Sequence, residues 1–268
     1  MMTSSSPSSS PGEQPLTGGG VNHVVRSGRT VRRPVGPWSI TVHALLSHLR
    51  EAGFTGAPLA HGFDDDGREI LDHLPGEVAH YPLPDYVRSD ASLEAVARLF
   101  RAYHDATAGF VPPPDAQWYQ PPREPAEVVC HGDLAPYNTV YRDGAPVALI
   151  DFDTAHPGPR VWDLAYAAYR FVPLTGADNQ DFRLPVAEQS RRLRLFADAY
   201  ALNRATRKTL PHTAAQRLEH LVRHLHEQAA AGVAAFARHI ADGHDALYRA
   251  DRAHIDRHEE AFVTALLH

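Results

Sequence analysis

The stretch "VVCHGDLAPYNTVYRDGAPVALIDFD", residues 128–153, places a histidine, several carboxylic acids and an asparagine between apolar runs. Val128 and Val129 are typical of the end of a buried strand, and "TVY" and "VALI" predict two more strands joined by a turn at 143–144. The polar residues therefore stand at strand ends, where the sheet holds the backbone and the side chains face a cleft. Catalytic groups are often placed on such rigid supports, so this segment predicts a polar functional site.

The spacing of these polar residues indicates phosphoryl transfer. His131 and Asp133 form a His-x-Asp pair, Asn138 follows after four intervening residues, and Asp151 comes after the predicted hairpin. Kinase catalytic loops have this order of residues, with a second acid after a hairpin that holds magnesium. The chemistry needs an acid that orients the attacking hydroxyl and oxygen ligands that fix Mg²⁺ on the phosphates.

The segments "HGDLAPYN", "IDFD" and "GPRVWDLAY" resemble the aminoglycoside phosphotransferase family, which comprises small-molecule kinases of the protein-kinase-like fold. The resemblance implies that Asp133 is the catalytic acid and that Asn138 and Asp151 are magnesium ligands. It also implies ATP and Mg²⁺ as cofactors. His131 is then a structural residue of the loop, and Asp163 braces the loop from the following helix.

Other polar residues near the motif leave alternatives open. Cys130 precedes the loop histidine, but adjacent residues of a strand point to opposite faces, so we expect a small core residue and not a thiol nucleophile. Asp153 faces the same way as Asp151, either as a surface or helper acid or as a group that touches metal or substrate. His220 and His224 lie one helical turn apart without a further ligand at metal spacing, so we expect a solvated helix face.

The N-terminal segment is expected to bind the nucleotide phosphates. In the family a glycine-rich turn followed by Asn and a strand covers the phosphates, and "GGGVNHVV" resembles it through Gly18, Gly19, Gly20 and Asn22. The alternative is that the glycines end a flexible tail. Where the family has a lysine, "TVRRP" has Arg32, so the resemblance gives Arg32 the phosphate-binding role. The helix that should carry the Glu partner of this cation has a valine at that position.

Composition limits the class of protein. The 268 residues carry a net charge of −6, which does not favour a general nucleic-acid surface. The single cysteine excludes an internal disulfide, and no apolar run approaches the roughly 20 residues that a membrane span needs. The first residues lack the basic and apolar regions of a signal peptide. The sequence therefore predicts a cytoplasmic protein with neither membrane nor nucleic acid as partner, and it carries no indication of oligomeric state.

The order of predicted elements is a small β unit, a helix, a strand, a helix, the hairpin segment and then helices. This order predicts an α+β, protein-kinase-like two-lobe fold with a small β-rich N-terminal lobe and a larger, mostly helical C-terminal lobe. The expected boundaries are a flexible Ser/Pro tail at 1–15, a nucleotide-binding lobe at 16–78 and a catalytic and substrate-binding lobe at 79–268. One helix is predicted over 90–107 and a single long helix over 214–240.

We therefore expect an ATP-dependent phosphotransferase that moves the γ-phosphate to a hydroxyl of a small molecule, an aminoglycoside-type antibiotic or a related metabolite. Aminoglycosides are polycations, and the C-terminal third has few clustered acids, which speaks against that particular acceptor. One alternative is a kinase of a nucleoside, sugar or peptide hydroxyl. The other is a nucleotide-binding pseudokinase without transfer, which the missing Lys and Glu pair favours.

Overall fold

The first sheet carries the residues expected to face the nucleotide. The computed structural model describes residues 13–16, 24–181 and 183–268. Within these ranges the sheet consists of the antiparallel strands β1 (Glu13–Pro15), β2 (Val25–Ser27), β3 (Thr30–Arg33), β4 (Ala60–Phe63) and β5 (Glu69–Asp72). Their spatial order is β1-β2-β3-β5-β4, so β3 is central. In the register of β3 and β5, Arg33 lies opposite Glu69.

The prediction of a flexible tail at 1–15 is wrong for its last three residues. These residues form β1, which pairs with β2 so that Glu13 lies opposite Ser27. The carboxylate of Glu13 accepts two hydrogen bonds from the guanidinium of Arg68, at 2.8 and 3.2 Å. A bidentate pair fixes the geometry of both side chains, so this short edge strand has a specific place on the sheet. Residues 1–12 lie outside the described part of the chain.

The helix α1 (Ser39–Glu51) buries its apolar face as its sequence pattern predicts. That face consists of Val42, Leu45, Leu46 and Leu49. Trp38 occupies the N-cap position, and the Oγ of Ser39 accepts a hydrogen bond from the N–H of Gly36 at 3.0 Å. Gly53 follows the helix with a φ of 81°, a conformation that stops helices and favours glycine.

The chain then passes from the first sheet to two smaller ones. In the described part of the chain the further strands are β6 (Glu77–Val78), β7 (Val128–Cys130), β8 (Thr139–Arg142), β9 (Ala145–Leu149) and β10 (His156–Gly158). β6 pairs with β8 and β8 with β9, while β7 pairs with β10. The β8–β9 hairpin turns at Asp143 and Gly144, whose φ values of 52° and 76° fit a type I′ turn. β6 therefore pairs with a strand from the later part of the chain, and the predicted boundary at 78 falls at its end.

The remainder of the C-terminal lobe is mostly helical. Its described helices are α2 (Asp85–Arg88), α3 (Asp90–Thr107), α4 (Arg160–Phe171), α5 (Val186–Tyr200), α6 (Arg204–Ala230), α7 (Ala234–Ala241) and α8 (His244–Leu267). The prediction over 90–107 is confirmed by α3. The helix predicted over 214–240 is instead divided between α6 and α7, because Gly232 adopts a left-handed φ of 89°. Not one of these helices has both the length and the apolar character that crossing a membrane requires.

The apolar core supports the hairpin segment directly. Tyr103 of α3 is fully buried and contacts the rings of His131 and Phe152, at centroid distances of 6.3 and 5.8 Å. The same core continues into α4 and α5, where Leu164 and Phe196 are buried. The α+β architecture of a small β-rich lobe and a larger helical lobe is confirmed, and the predicted site lies where the two meet.

Candidate active site

The loop after β7 contains His131, whose residue surface is fully buried. Its Nε2 lies 3.0 Å from the carbonyl oxygen of Ile150, so Nε2 carries the hydrogen and donates it. Its Nδ1 then accepts a hydrogen bond from the backbone N–H of Asp133 at 3.4 Å. The histidine therefore ties the loop to the segment after β9 and shapes the backbone at Asp133, which is the structural role expected for it.

Asp163, near the start of α4, holds the same loop. Its buried carboxylate accepts the backbone N–H groups of His131 and Gly132 at 2.5 and 2.9 Å. His104 of α3 contacts this carboxylate through Nε2 at 3.1 Å. Burial acts to raise the pKa of Asp163, but the hydrogen bonds from His104 and from the loop outweigh burial and lower the pKa. Asp163 is an ionised brace, as the resemblance implied, whereas no sequence signal marked His104.

Asp133 is half-buried, and both of its carboxylate oxygens accept hydrogen bonds. Nδ2 of Asn138 donates to Oδ2 at 3.0 Å, and the hydroxyl of Tyr137 donates to Oδ1 at 3.0 Å. Burial, followed by the negative charge of Asp151, raises the pKa of Asp133. A fixed carboxylate with a raised pKa is suited to accepting a hydrogen bond, and then a proton, from a hydroxyl group.

Asp151 follows β9 with φ 64° and ψ 67°. Few residues other than glycine adopt this left-handed conformation, which occurs often in active sites. The N–H of Ile150 bonds to the carbonyl of Asn138 at 3.0 Å, so the end of the hairpin lies against the loop. The carboxylate of Asp151 is 45% exposed and lies 2.8 Å from Nη1 of Arg33. The structure thus brings Asp133, Asn138 and Asp151 together, as their spacing predicted.

The arginine that reaches this group is Arg33, and not Arg32 as expected from the sequence. The buried guanidinium of Arg33 lies 2.8 Å from Asp151 and 2.6 Å from Asp153. Arg32 lies on the opposite face of β3, with its Nε 3.7 Å from the carboxylate of Asp64. Because side chains alternate along a strand, an assignment displaced by one residue places the guanidinium on the wrong face. Arg33, and not Arg32, therefore faces the acidic cluster.

A third partner of Arg33 is Glu69 of β5. Nε of Arg33 lies 2.5 Å from Oε1 of Glu69, an ion pair without the alignment of a hydrogen bond. The other oxygen of Glu69 contacts Nε2 of His43 on α1 at 2.9 Å. Burial alone would lower the pKa of Arg33, but the attraction of the surrounding carboxylates outweighs it and raises the pKa. The sequence did not reveal this Arg33–Glu69–His43 chain, which stands where the family has a Lys and Glu pair. Val42, the valine at the position expected for the Glu, is buried in the core.

Asp153 belongs to the same cluster and is not a surface acid. Burial is the largest effect on its carboxyl group, and together with the negative charge of Asp151 it outweighs the attraction of Arg33 and raises the pKa of Asp153 to about 6. Of the two roles left open by the sequence, the structure favours a helper acid that holds Arg33.

The cluster has an excess of negative charge. Glu69, Asp151 and Asp153 face the single guanidinium of Arg33 at ion-pair distance. Such a surplus beside an amide oxygen suits Mg²⁺, which prefers oxygen ligands and needs only one or two carboxylates because phosphates and waters complete its coordination. Within the described ranges no group of three or more His, Cys, Asp or Glu side chains is arranged to hold a metal by itself. The carboxylate of Asp151 and the amide oxygen of Asn138 are nevertheless of the ligand types that fit Mg²⁺.

The other residues that the sequence singled out are the glycine-rich segment, Cys130 and a pair of histidines on α6. Gly18, Gly19, Gly20 and Asn22 lie outside the described residues, so the phosphate-covering loop stays a prediction. Cys130 is buried, and burial raises the pKa of its thiol, which agrees with a core residue. The prediction that His220 and His224 lie on a solvated helix face is wrong, because both are half-buried. His220 contacts Arg123, and His224 contacts Tyr119.

A catalytic loop, a hairpin acid and a cation on the adjoining sheet define a phosphotransferase of the protein-kinase-like class. The model of the phosphotransferase enzyme family matches residues 115–200, which contain the loop, the hairpin and α4. The Trifolitoxin immunity protein of Rhizobium leguminosarum bv. trifolii is 38% identical over 201 residues, covering 72% of this chain and 75% of that protein. The chain belongs to the phosphotransferase enzyme family, and it is a small-molecule phosphotransferase with a hydroxyl group as acceptor.

Solved structures share the fold. A choline/ethanolamine kinase family protein from Mesorhizobium loti has a TM-score of 0.63 at 16% identity, with 95% of this chain and 92% of that chain covered. The amicoumacin kinase, solved with AMP-PNP and Ca²⁺, has a TM-score of 0.62 at 15% identity, with coverage of 87% and 89%. At these identities the likeness concerns the fold, and it confirms the two-lobe kinase-like architecture.

Proposed function

We propose that the protein transfers the γ-phosphoryl group of ATP to a hydroxyl of a small molecule at the cluster formed by Asp133, Asn138, Asp151 and Arg33. The observation that carries this proposal is the convergence of these side chains from two lobes. Asp133 and Asn138 share a hydrogen bond, and Arg33 of the first sheet reaches Asp151 at the end of the hairpin. Phosphoryl transfer depends on such positioning more than on covalent chemistry by the protein.

Asp133 orients the acceptor hydroxyl and takes its proton. The hydroxyl oxygen forms a bond to the γ-phosphorus, and the bond from that phosphorus to the bridging oxygen breaks, with the electron pair leaving on ADP. Tyr137 and Asn138 fix the carboxylate through one hydrogen bond each, so it is preorganised for this contact. The raised pKa of Asp133, which burial and then Asp151 cause, favours uptake of the proton.

The phosphate side of the site consists of cationic and metal-binding groups. The amide oxygen of Asn138 and the carboxylate of Asp151 would hold Mg²⁺, which when bound supplies positive charge to the phosphates. Arg33 offers a forked guanidinium to phosphate oxygens, held from behind by Glu69. We extend the proposal to Gly18, Gly19, Gly20 and Asn22 as the backbone that covers the phosphates and to the 70–76 segment as the contact for adenine.

The relatives support a toxic acceptor. One is named for immunity to trifolitoxin and another for its action on amicoumacin. A phosphoryl group added to a hydroxyl brings nearly two negative charges, which is sufficient to weaken the binding of a small toxin to its target. The pseudokinase alternative rested on the missing Lys and Glu pair, and the ion pair of Arg33 with Glu69 speaks against it.

The proposal is tested by nucleotide binding and by transfer. Thermal stabilisation by Mg-ATP, followed by mass-spectrometric screening of hydroxyl compounds for a phosphoryl gain, measures the two parts separately. Asp133→Asn should abolish transfer and leave Mg-ATP affinity nearly unchanged, because this residue meets the acceptor. Asp151→Asn should weaken Mg-ATP binding itself, because it removes a charged ligand.

Asp115→Asn is the matched control, because it changes an exposed loop carboxylate in the same way. It should match the parent in both measurements. Variants of Asp133 and Asp151 that bind and turn over like the parent would refute the assignment. A parent protein that neither binds Mg-ATP nor transfers phosphate would refute the proposed function.

A further inference from the structure

A cluster of tyrosines extends from the catalytic acid on the side away from Asn138. The hydroxyl of Tyr137 donates to Asp133 and lies 3.0 Å from the hydroxyl of Tyr166. The rings of Tyr166 and Tyr169 follow at 6.1 Å, and Tyr248 lies 6.2 Å beyond. Tyr137 and Tyr248 are only partly buried, so this tyrosine cluster reaches the surface. The acceptor side of Asp133 is therefore lined by aromatic rings.

The centre of the tyrosine cluster is Arg170, on α4, and its residue surface is 8% exposed. Its guanidinium carbon lies 4.8 Å from the ring centroid of Tyr81 and 5.5 Å from those of Tyr137 and Tyr169. Three aromatic faces thus already accommodate one cation. A cationic acceptor, such as an amino alcohol or a polyamine, would find these faces taken and would meet a like charge.

Arg170 lacks the close anions that Arg33 has. Its Nε is buried without a hydrogen-bond partner, and within the described ranges its single ion-pair contact is Asp181 at 3.9 Å. The tyrosines do not neutralise it at neutral pH, since burial raises their pKa, to about 12 for Tyr81. A guanidinium this deeply buried, with an unbonded Nε and its ion-pair partner at 3.9 Å, favours a further anionic partner.

The other acid near the tyrosine cluster is already used. Asp251 accepts the hydroxyl of Tyr169 at 2.8 Å, the N–H of Gly176 at 2.7 Å and the side-chain amide of Asn179 at 2.7 Å. These three donors tie it to the segment that follows α4. Asp251 therefore stabilises the local backbone and does not form an ion pair with Arg170.

A second buried arginine adds to the positive charge. Arg217 of α6 donates from Nη2 to the carbonyl of Gly132 at 2.6 Å, and its guanidinium lies 4.8 Å from the ring of Tyr166. Among the residues that the structure describes, its Nε also has no hydrogen-bond partner. The acceptor side of Asp133 is thus bordered by two guanidinium groups, while the carboxylate surplus lies on the nucleotide side.

We propose that the acceptor carries an anionic group, a carboxylate or a phosphate, and that Arg170 binds this group while Asp133 receives the hydroxyl. The inference rests on the proposed phosphotransfer and narrows its substrate class. A planar anion would give the buried Nε of Arg170 the hydrogen-bond partner that the described residues do not provide. Aminoglycosides and amino alcohols without an acid group are the classes it disfavours.

Matched acceptors test the inference without any variant. Hydroxyl compounds of one carbon skeleton are offered with Mg-ATP in four forms, as carboxylate, phosphate ester, amide and amine, and phosphorylated product is measured by mass spectrometry. The carboxylate or the phosphate ester should exceed the amide in kcat/KM by roughly tenfold to a hundredfold, the range for a hydrogen-bonded charge. The anion that is preferred shows whether the natural acceptor carries a carboxylate or a phosphate. Equal or better transfer to amide or amine, or no product from any anionic form, overturns the inference.

Variants then locate the effect. Arg170→Gln should remove the preference for the anion by raising its KM, with Mg-ATP affinity retained, and Arg170→Lys should restore part of it because the charge remains. Arg98→Gln, an exposed arginine paired with Glu94 on α3, is the matched control and should keep the full preference. An Arg170→Gln protein that still discriminates overturns the assignment. If that variant does not fold, the parent protein is tested with carboxylates that lack a hydroxyl group. The inference requires that they inhibit competitively against the acceptor and not against ATP. Absence of Mg-ATP binding would instead refute the underlying phosphotransfer.

Discussion

Replacing Arg33 by Met should damage the protein far more than the same change at Arg32. The two residues are neighbours on β3 and have the same side chain, so Arg32→Met is a control for chemistry and position. Arg33 contacts carboxylates of Glu69, Asp151 and Asp153 at 2.5, 2.8 and 2.6 Å. In the described part of the chain, Arg32 has one carboxylate at ion-pair distance, that of Asp64 at 3.7 Å.

The magnitude follows from burial. Removing one member of a buried ion pair costs about 3–5 kcal/mol, because the charge left behind has no partner. The side chain of Asp151 is 45% exposed, so water screens its negative charge and lowers the cost of losing its contact with Arg33. Asp153, whose pKa already lies at about 6, can take up a proton when Arg33 is lost, and this lowers the cost of its unpaired charge further. We therefore expect Arg33→Met to lose about 3 kcal/mol of unfolding free energy, and Arg32→Met under ~1 kcal/mol.

Chemical unfolding and calorimetric titration with Mg-ATP measure the two consequences. A stability loss of that size corresponds to a fall in Tm of roughly 6–12 °C for a protein of this length. Loss of a charged hydrogen bond to phosphate should also raise the Kd of Mg-ATP roughly tenfold to a hundredfold in Arg33→Met only. Adding Asp153→Asn should return part of the stability but none of the affinity. A larger loss of nucleotide affinity in Arg32→Met would show that the phosphate site lies on the other face of β3.

Deleting residues 1–15 should lower Tm by roughly 2–4 °C, for about 1 kcal/mol, because β1 and the contact between Glu13 and Arg68 are lost, whereas deleting 1–12 should not. Equal Tm values in differential scanning calorimetry would show that β1 contributes nothing. Asp163→Asn should cost roughly 2–4 kcal/mol in urea unfolding, since donors in the catalytic loop lose a charged partner. The pKa of Asp163 is depressed in the fold, so its contribution is complete above the ordinary value of about 4 and is lost as pH falls through the lower folded-state value. An unchanged acid limb of the stability profile in Asp163→Asn would contradict this reasoning.

The parts of the site that lie close together in sequence could be predicted. His131, Asp133 and Asn138 share one loop, and Asp151 follows a single hairpin, so their spacing fixes their neighbourhood once the hairpin is recognised. The type I′ turn at 143–144 has its own local signal. Helix α3 was equally predictable because its apolar spacing runs uninterrupted from one end to the other.

The partners of Arg33 could not be predicted, since they depend on pairing between distant segments. Whether Arg32 or Arg33 faces the cleft is set by which face of β3 covers the core, and the short "TVRRP" run does not show this. Glu69 meets Arg33 only through the register of β3 and β5, which a single residue of slip would reverse. His43 depends in turn on how α1 packs. Arg170 lies in a helix that sequence identifies, but its burial among tyrosines comes from tertiary packing.

Arg33 and Arg170 are both buried, but they differ in the carboxylates that surround them, and this difference separates their roles. Arg33 already has three carboxylates, so its charge helps to join the first sheet to the hairpin before any ligand arrives. A phosphate that binds Arg33 must replace one of those contacts, and its net gain is reduced accordingly. Arg170 has no carboxylate within hydrogen-bond distance among the described residues, so an anion that reaches it gives up only its own hydration. The two arginines should therefore be separable by mutation: Arg170→Gln should change the preference among acceptors, whereas Arg33→Met should change both the stability of the fold and the affinity for Mg-ATP.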